Sequence, residues 1–116
     1  MTALRIGIID VLGLTYDGNT LEKYGLGGSE SSVILISKEL QALGCEVTVF
    51  NNCKDSRATP GIYDDVTYVD LSFFDQTHGP EVPHHFQQDV VICSRSIRPF
   101  VEPRYQALMA CDPAAL

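Results

Sequence analysis

From Leu4 to Ile9 the chain is almost continuously apolar (LRIGII), and the run stops at Asp10. A short run without polar alternation predicts a strand buried on both faces, as in a parallel sheet. Residues 11–28 lose that pattern and gain Gly, Asp, Asn and Tyr, which predicts a long loop. From Ser29 onward the apolar residues Val33, Ile36, Leu40 and Leu43 recur at the three- and four-residue spacing of a helix. Ser29 is expected to cap that helix, and Gly44 to supply the left-handed residue that ends it. Glu46 to Phe50 (EVTVF) predicts a second strand. Strand, helix and strand then make a βαβ unit with a right-handed crossover.

Beyond a polar, turn-rich stretch from Asn51 to Asp65, Val66 to Val69 predicts a third strand. Residues 72–88 carry His78, His84 and His85 with two prolines, and predict no regular element. Asp89 to Cys93 (DVVIC) predicts a fourth strand, and Pro103 is suited to open a final helix reaching about Ala110. The expected fold class is α/β: one Rossmann-like domain over residues 1–116, an open and mainly parallel sheet with flanking helices. One crossover helix is replaced by irregular chain. No repeat, low-complexity tract or internal boundary interrupts it.

Composition narrows the functional classes. A chain of 116 residues with 45% hydrophobic residues suits one domain with one core. The net charge of −7, from 8 basic and 15 acidic residues with no Lys/Arg cluster, argues against a nucleic-acid footprint and against adhesion to an anionic membrane. Cys45, Cys53, Cys93 and Cys111 form no C-x-x-C pair, and the three histidines lack second ligands at helical spacing, so no metal site is expected. The opening "MTALRIGIID" is not a signal peptide, and no apolar run approaches the roughly 18 residues of a membrane span. A cytoplasmic protein with reduced thiols is the expectation.

The candidate chemistry lies at the junction "GLGGSE". A glycine-rich turn feeding a helix start offers unpaired N–H groups and a partial positive charge, which suits an anion. Gly27 and Gly28 would let a phosphate approach the backbone, and Ser29 would add a hydroxyl. A plain turn with a capping serine accounts for the same residues. The dinucleotide fingerprint is excluded, because Glu30 stands where the last glycine is needed and the second strand ends in Asn51 and Asn52 rather than an acid. No phosphate-loop motif with its lysine is present, and Asp10 lacks the neighbouring acids of a phosphate-accepting receiver domain. If the strands lie in the order third, second, first, fourth, the ligand crevice falls between the first and fourth. Asp10 and the glycine turn would then face Ser94, Arg95 and Ser96. Arg95 and Arg98 would meet a phosphate or acceptor hydroxyls, or else pair on the surface with an acid such as Glu102. Tyr16, Asp17, Asn19 and Tyr24 occupy a long loop of the kind that often carries function, though packed surface tyrosines fit it equally.

Taken together, the first strand, the long loop, "GGSE", the helix, "LGCEVTVF" and "DVVICSRS" resemble the N-terminal half of a GT-B glycosyltransferase, over about residues 4–100. More narrowly, they are similar to the retaining group 1 (family 4) enzymes that use nucleotide-sugar donors. The resemblance implies a nucleotide diphosphate sugar donor, an unknown acceptor and no further cofactor. It makes Gly27, Gly28 and Ser29 donor-phosphate contacts. Asp10, Tyr16, Asn19, Arg95 and Arg98 become candidates for the cleft or acceptor side. Glu30 matches the motif's acid and is read as favourable charge at the helix start, without a phosphate contact. The family's E-x7-E donor motif belongs to a second domain with no counterpart here, and its first domain continues with further strand–helix units. The chain is therefore expected to be a truncated, incomplete domain, inactive in isolation, that either self-associates along its fourth strand or joins a C-terminal domain. The alternative is a non-enzymatic Rossmann-like module that binds a small anion or a protein partner.

Overall fold

A computed structural model describes residues 3–75 and 88–96. The histidines at 78, 84 and 85, Arg98, Cys111 and the helix expected from Pro103 lie outside the described residues. Strand β1 (Arg5–Asp10) leads through a short helix α1 (Thr20–Tyr24) to helix α2 (Gly28–Ala42). Strands β2 (Glu46–Asn51), β3 (Gly61–Tyr63) and β4 (Val66–Asp70) follow, then a 3-10 turn at Leu71–Asp75 and strand β5 (Val90–Cys93). The sheet order is β3-β4-β2-β1-β5. All pairings are parallel except that of β3 with β4. The expected order of the four apolar runs is thus present, with β3 added at one edge.

Because side chains alternate across a strand, β1 and β2 feed two apolar layers. On one face Ile6, Ile8, Val47 and Val49 pack with Val33 and Ile34 of α2 and with Tyr16 and Tyr68. On the other, Ile9 and Phe50 pack with Phe74, and Val11, Val69 and Val91 close around them. Each fully buried side chain of this size contributes about 1.5–3 kcal/mol relative to exposure. Gly7 belongs to this second face: an added Cβ would lie 2.7 Å from Gln88 Cγ, so a side chain there would push Gln88 off the strand.

Helix α2 corrects two expectations. Its N-cap is Gly27, not Ser29: Gly27 is extended (φ −65°, ψ 167°), and its carbonyl accepts the Ser31 N–H at 3.0 Å. Ser29 therefore lies inside the first turn, and no side chain caps the helix through the usual bond. The buried stripe is also rotated. Glu30, Val33, Ile34 and Ser37 face inward, whereas Ile36 is 51% and Leu43 80% exposed. The row 30, 33, 34, 37 has the same helical spacing as the apolar row, so periodicity alone does not choose between them. Ser37 is small enough to sit fully buried against the sheet, and its hydroxyl donates to the Val33 carbonyl at 2.6 Å. The C-terminal end is as expected. Gly44 has φ 97°, its N–H donates to Gln41 O at 3.0 Å, and Cys45 N–H donates to Leu40 O at 3.1 Å, which is a Schellman cap.

Three further elements escaped the pattern. α1 interrupts the expected loop of residues 11–28. β3 and β4 form a hairpin whose turn is Asp64-Asp65, both with positive φ (50° and 64°). Such turns favour Asn-Gly or Asp-Gly, so Asp-Asp gave no clear signal. Leu71–Asp75 adopts a 3-10 turn where no regular element was expected. Among the described residues no helix is long and apolar enough to cross a membrane.

Candidate functional site

β1 sits between β2, which follows it through α2, and β5, which lies on its other side. The strand order reverses there, and the carboxyl ends of β1 and β5 border the crevice where open α/β sheets hold ligands. Asp10 ends β1, Ser94 and Arg95 follow β5, and the glycine turn enters α2 at the same end.

Asp10 is fully buried yet well supplied with donors. Its Oδ1 accepts the Gly13 N–H at 2.9 Å, and its Oδ2 accepts the Tyr16 hydroxyl at 2.9 Å. Arg95 Nη2 lies 3.6 Å from Asp10 Oδ1 and 3.5 Å from Glu30 Oε1, so one guanidinium bridges the end of β1 to the start of α2. Arg95 takes φ 62°, a conformation uncommon for a residue with a Cβ. The Leu14 N–H donates to Glu30 Oε1 at 3.3 Å, which ties the first loop to the same cluster. Glu30's own N–H, the Leu14 N–H and Arg95 together hold its carboxyl below the usual range, against the opposing effect of burial. Burial, reinforced by Asp10, pushes the Tyr16 phenol far up, so it remains a neutral donor.

This cluster contains two carboxylates and one guanidinium, and its formal charge is −1. Arg95 is thus engaged within the protein, and an incoming anion meets a cation already shared between two acids. What stays open is backbone. Gly27 and Gly28 are exposed, and a Cβ on Gly28 would meet nothing within 4 Å. Beside them, between α2 and β5, lies a hollow of about 330 Å³. Ile8, Val33, Ile36 and Ile92 form its apolar walls, while Ser29 and Arg95 are among its polar lining. A second hollow of about 610 Å³, which reaches the glycine turn at Gly27, is lined by Leu14, Tyr24, Leu26, Asp55 and Arg57 together with Thr15, Thr20, Gly25 and Gly27.

Of the residues singled out from sequence, Asp10, Ser29 and Arg95 converge on this end of the sheet, with Gly27 and Gly28 at its rim. Tyr16 does not face an acceptor: it is fully buried, edge-on to Tyr68, with its hydroxyl directed at Asp10. Asn19 begins α1, and its N–H donates to Asp17 Oδ1 at 2.8 Å. Arg95 pairs with Asp10 and Glu30, while Glu102 lies outside the described residues. Sequence reasoning missed Arg57, whose guanidinium sits 5.1 Å above the Tyr24 ring centre. The available signal was Asp55, an Asx-turn residue whose Oδ1 accepts the N–H groups of Arg57 (2.6 Å) and Ala58 (3.1 Å). Cys53 is an unreactive thiol, fully buried and pushed up to about 12 by burial and then by Asp70 and Asp17. Comparison with protein-family models, with curated proteins and with solved structures finds no match to this chain.

Proposed function

We propose that the chain is the acceptor-side domain of a GT-B-type glycosyltransferase, which transfers a sugar from a nucleotide diphosphate sugar when joined to a donor-binding domain. One observation carries this reading: an exposed Gly27–Gly28 turn opens a 15-residue helix beside the carboxyl ends of β1 and β5. A diphosphate laid across that turn would meet the free N–H groups of Gly28 and Ser29 and the positive end of α2. Glu30 contributes by holding the turn in place through Arg95 and Leu14, not by touching the donor. Without the donor-binding domain this half-site is expected to bind a nucleotide diphosphate no more tightly than about millimolar, equivalent to about 4 kcal/mol.

Titration of 15N-labelled protein with UDP-glucose and GDP-mannose tests the reading. Saturable shifts of the Gly27–Glu30 amides at millimolar ligand are expected. Unmoved amides in that turn would overturn the proposal. A second reading, a non-enzymatic module with a protein partner, draws support from Ile36 and Ile92, which are 51% and 42% exposed and line the same hollow. It predicts no nucleotide response in the titration.

A further inference from the structure

The larger hollow reaches the glycine turn at Gly27 and the first loop at Leu14, whose N–H donates to Glu30, but none of Asp10, Glu30 and Arg95 lines it. Its volume of about 610 Å³ falls within the size range of small-molecule pockets. Leu14 and Leu26 supply apolar wall, and Tyr24 adds an aromatic ring that is 53% exposed. Gly25 adopts φ 75°, ψ 157°, which only glycine takes without strain, and this bend carries the chain from α1 along the hollow toward Gly27.

Arg57 is the distinctive member. Of the described cations, Arg5, Lys38 and Arg95 each lie within ion-pair distance of a carboxylate, whereas Lys23 and Lys54, like Arg57, do not. Among the described residues no carboxylate stands in that relation to Arg57. Asp55, its nearest acid in the chain, also lines the hollow but turns Oδ1 toward the loop backbone. The buried Asp17 is likewise occupied, by the N–H groups of Asn19 and Thr59 and by the Thr20 hydroxyl. Arg57 is therefore a surface cation held over an aromatic face, with its N–H donors uncommitted to any described acid, at a hollow with apolar walls. A guanidinium so placed matches the planar acceptor edge of a phosphate or carboxylate, and Leu14, Leu26 and Tyr24 match an uncharged body attached to it.

We propose that this hollow binds a small organic anion of metabolite size, with its phosphate or carboxylate on Arg57 and its uncharged body against Leu14, Leu26 and Tyr24. This site does not depend on the nucleotide-sugar reading, since Arg57, Tyr24, Leu14 and Leu26 are not among the proposed donor contacts.

Four probes titrated into the 15N-labelled full chain decide the matter: glucose 6-phosphate, glucuronate, glucose and inorganic phosphate. Glucose 6-phosphate, glucuronate or both are expected to shift the amides of Leu14, Gly25, Leu26 and Arg57, more tightly than glucose or inorganic phosphate. A response to one charged sugar only identifies phosphate or carboxylate as the preferred group. R57A is expected to weaken that binding at least tenfold, with R57K intermediate and the thermal midpoint unchanged, because the side chain is exposed. Y24A is expected to weaken the sugar anions several-fold and leave inorganic phosphate as it was. Equal affinity for glucose would remove the role of charge, and equal affinity for inorganic phosphate would remove the role of the body. Either result overturns the proposal, as does an R57A affinity equal to the wild type or silence with all four probes. UDP-glucose shifts at Gly28–Glu30 that persist in R57A keep the two sites distinguishable.

Discussion

Asp10 is a fully buried carboxylate whose position depends on a glycine three residues later. A Cβ on Gly13 would collide with the Asp10 carboxylate that its own N–H supports, so the side chain and the donor cannot coexist. Gly13→Ala is expected to destabilise the fold by about 1–3 kcal/mol through overpacking at a buried polar centre. Gly28→Ala, in the first turn of α2 with open space around it, should be neutral or slightly stabilising. Urea denaturation of the two variants side by side reads this difference, and equal losses would show that Asp10 does not organise the loop. Glu30 sets a second expectation. Its folded value is depressed below 4.5, so its contribution is present above that pH and is lost as pH falls through the folded value. As pH falls below 4.5 the stability of the wild type should therefore fall more steeply than that of Glu30→Gln. Parallel curves would mean that the carboxylate gains nothing from its N–H partners and Arg95. That Asp10 and Arg95 would come together was legible in sequence, because both lie at the carboxyl ends of strands that flank the point where the strand order reverses. The Tyr16–Asp10 bond was not, since a contact between a strand end and a loop six residues on has no period.

At the scale of elements, β1, β2, β4 and β5 were read correctly because apolar runs bounded by polar residues have few other solutions, while β3 was missed. The rotation of α2 was not, and the reason is local. The helix offers two apolar rows at the same spacing, and Ser37 and Glu30 make the buried one look polar. Their burial becomes intelligible only with their partners, the Val33 carbonyl for Ser37 and Arg95 for Glu30. The helix face can be measured directly. Ile34 is 1% exposed and Leu43 80% exposed, so Ile34→Ala should cost about 2–5 kcal/mol while Leu43→Ala stays within about 0.5 kcal/mol. Thermal or chemical denaturation giving the reverse ranking would restore the face suggested by simple periodicity. The short elements α1 and β3 depend on tertiary support. The five residues of α1 lie below the length at which helices are stable alone. β3 exists because β4 offers it an edge, with Tyr63 edge-on to Tyr68 at a ring separation of 5.6 Å.

At the scale of the whole molecule, the two edges of the sheet differ. β3 is short, and the Asp64-Asp65 turn puts charge beside it, which discourages pairing with another chain. β5 pairs with β1 on one side and with no other described strand. Its residues Val90–Cys93 include no lysine or proline, and Val90 and Ile92 are 40% and 42% exposed. Ile92 also borders the apolar hollow with Ile36, so the edge and the neighbouring helix face present one apolar flank. A row of N–H and C=O groups that pairs with no described strand, next to such a flank, is a template for a second strand. A two-fold pairing of β5 with β5 from another copy satisfies both at once, because each edge then supplies what the other lacks. The chain is therefore expected to self-associate, with a sedimentation coefficient that rises from low to high micromolar concentration. Ile92→Lys places a charge on that flank without entering the core, and should return the protein to a monomer with its fold unchanged by circular dichroism. A wild-type chain that remains monomeric over the whole range, with the β5 amides exchanging as freely as those of an exposed loop, would show that this edge recruits no partner.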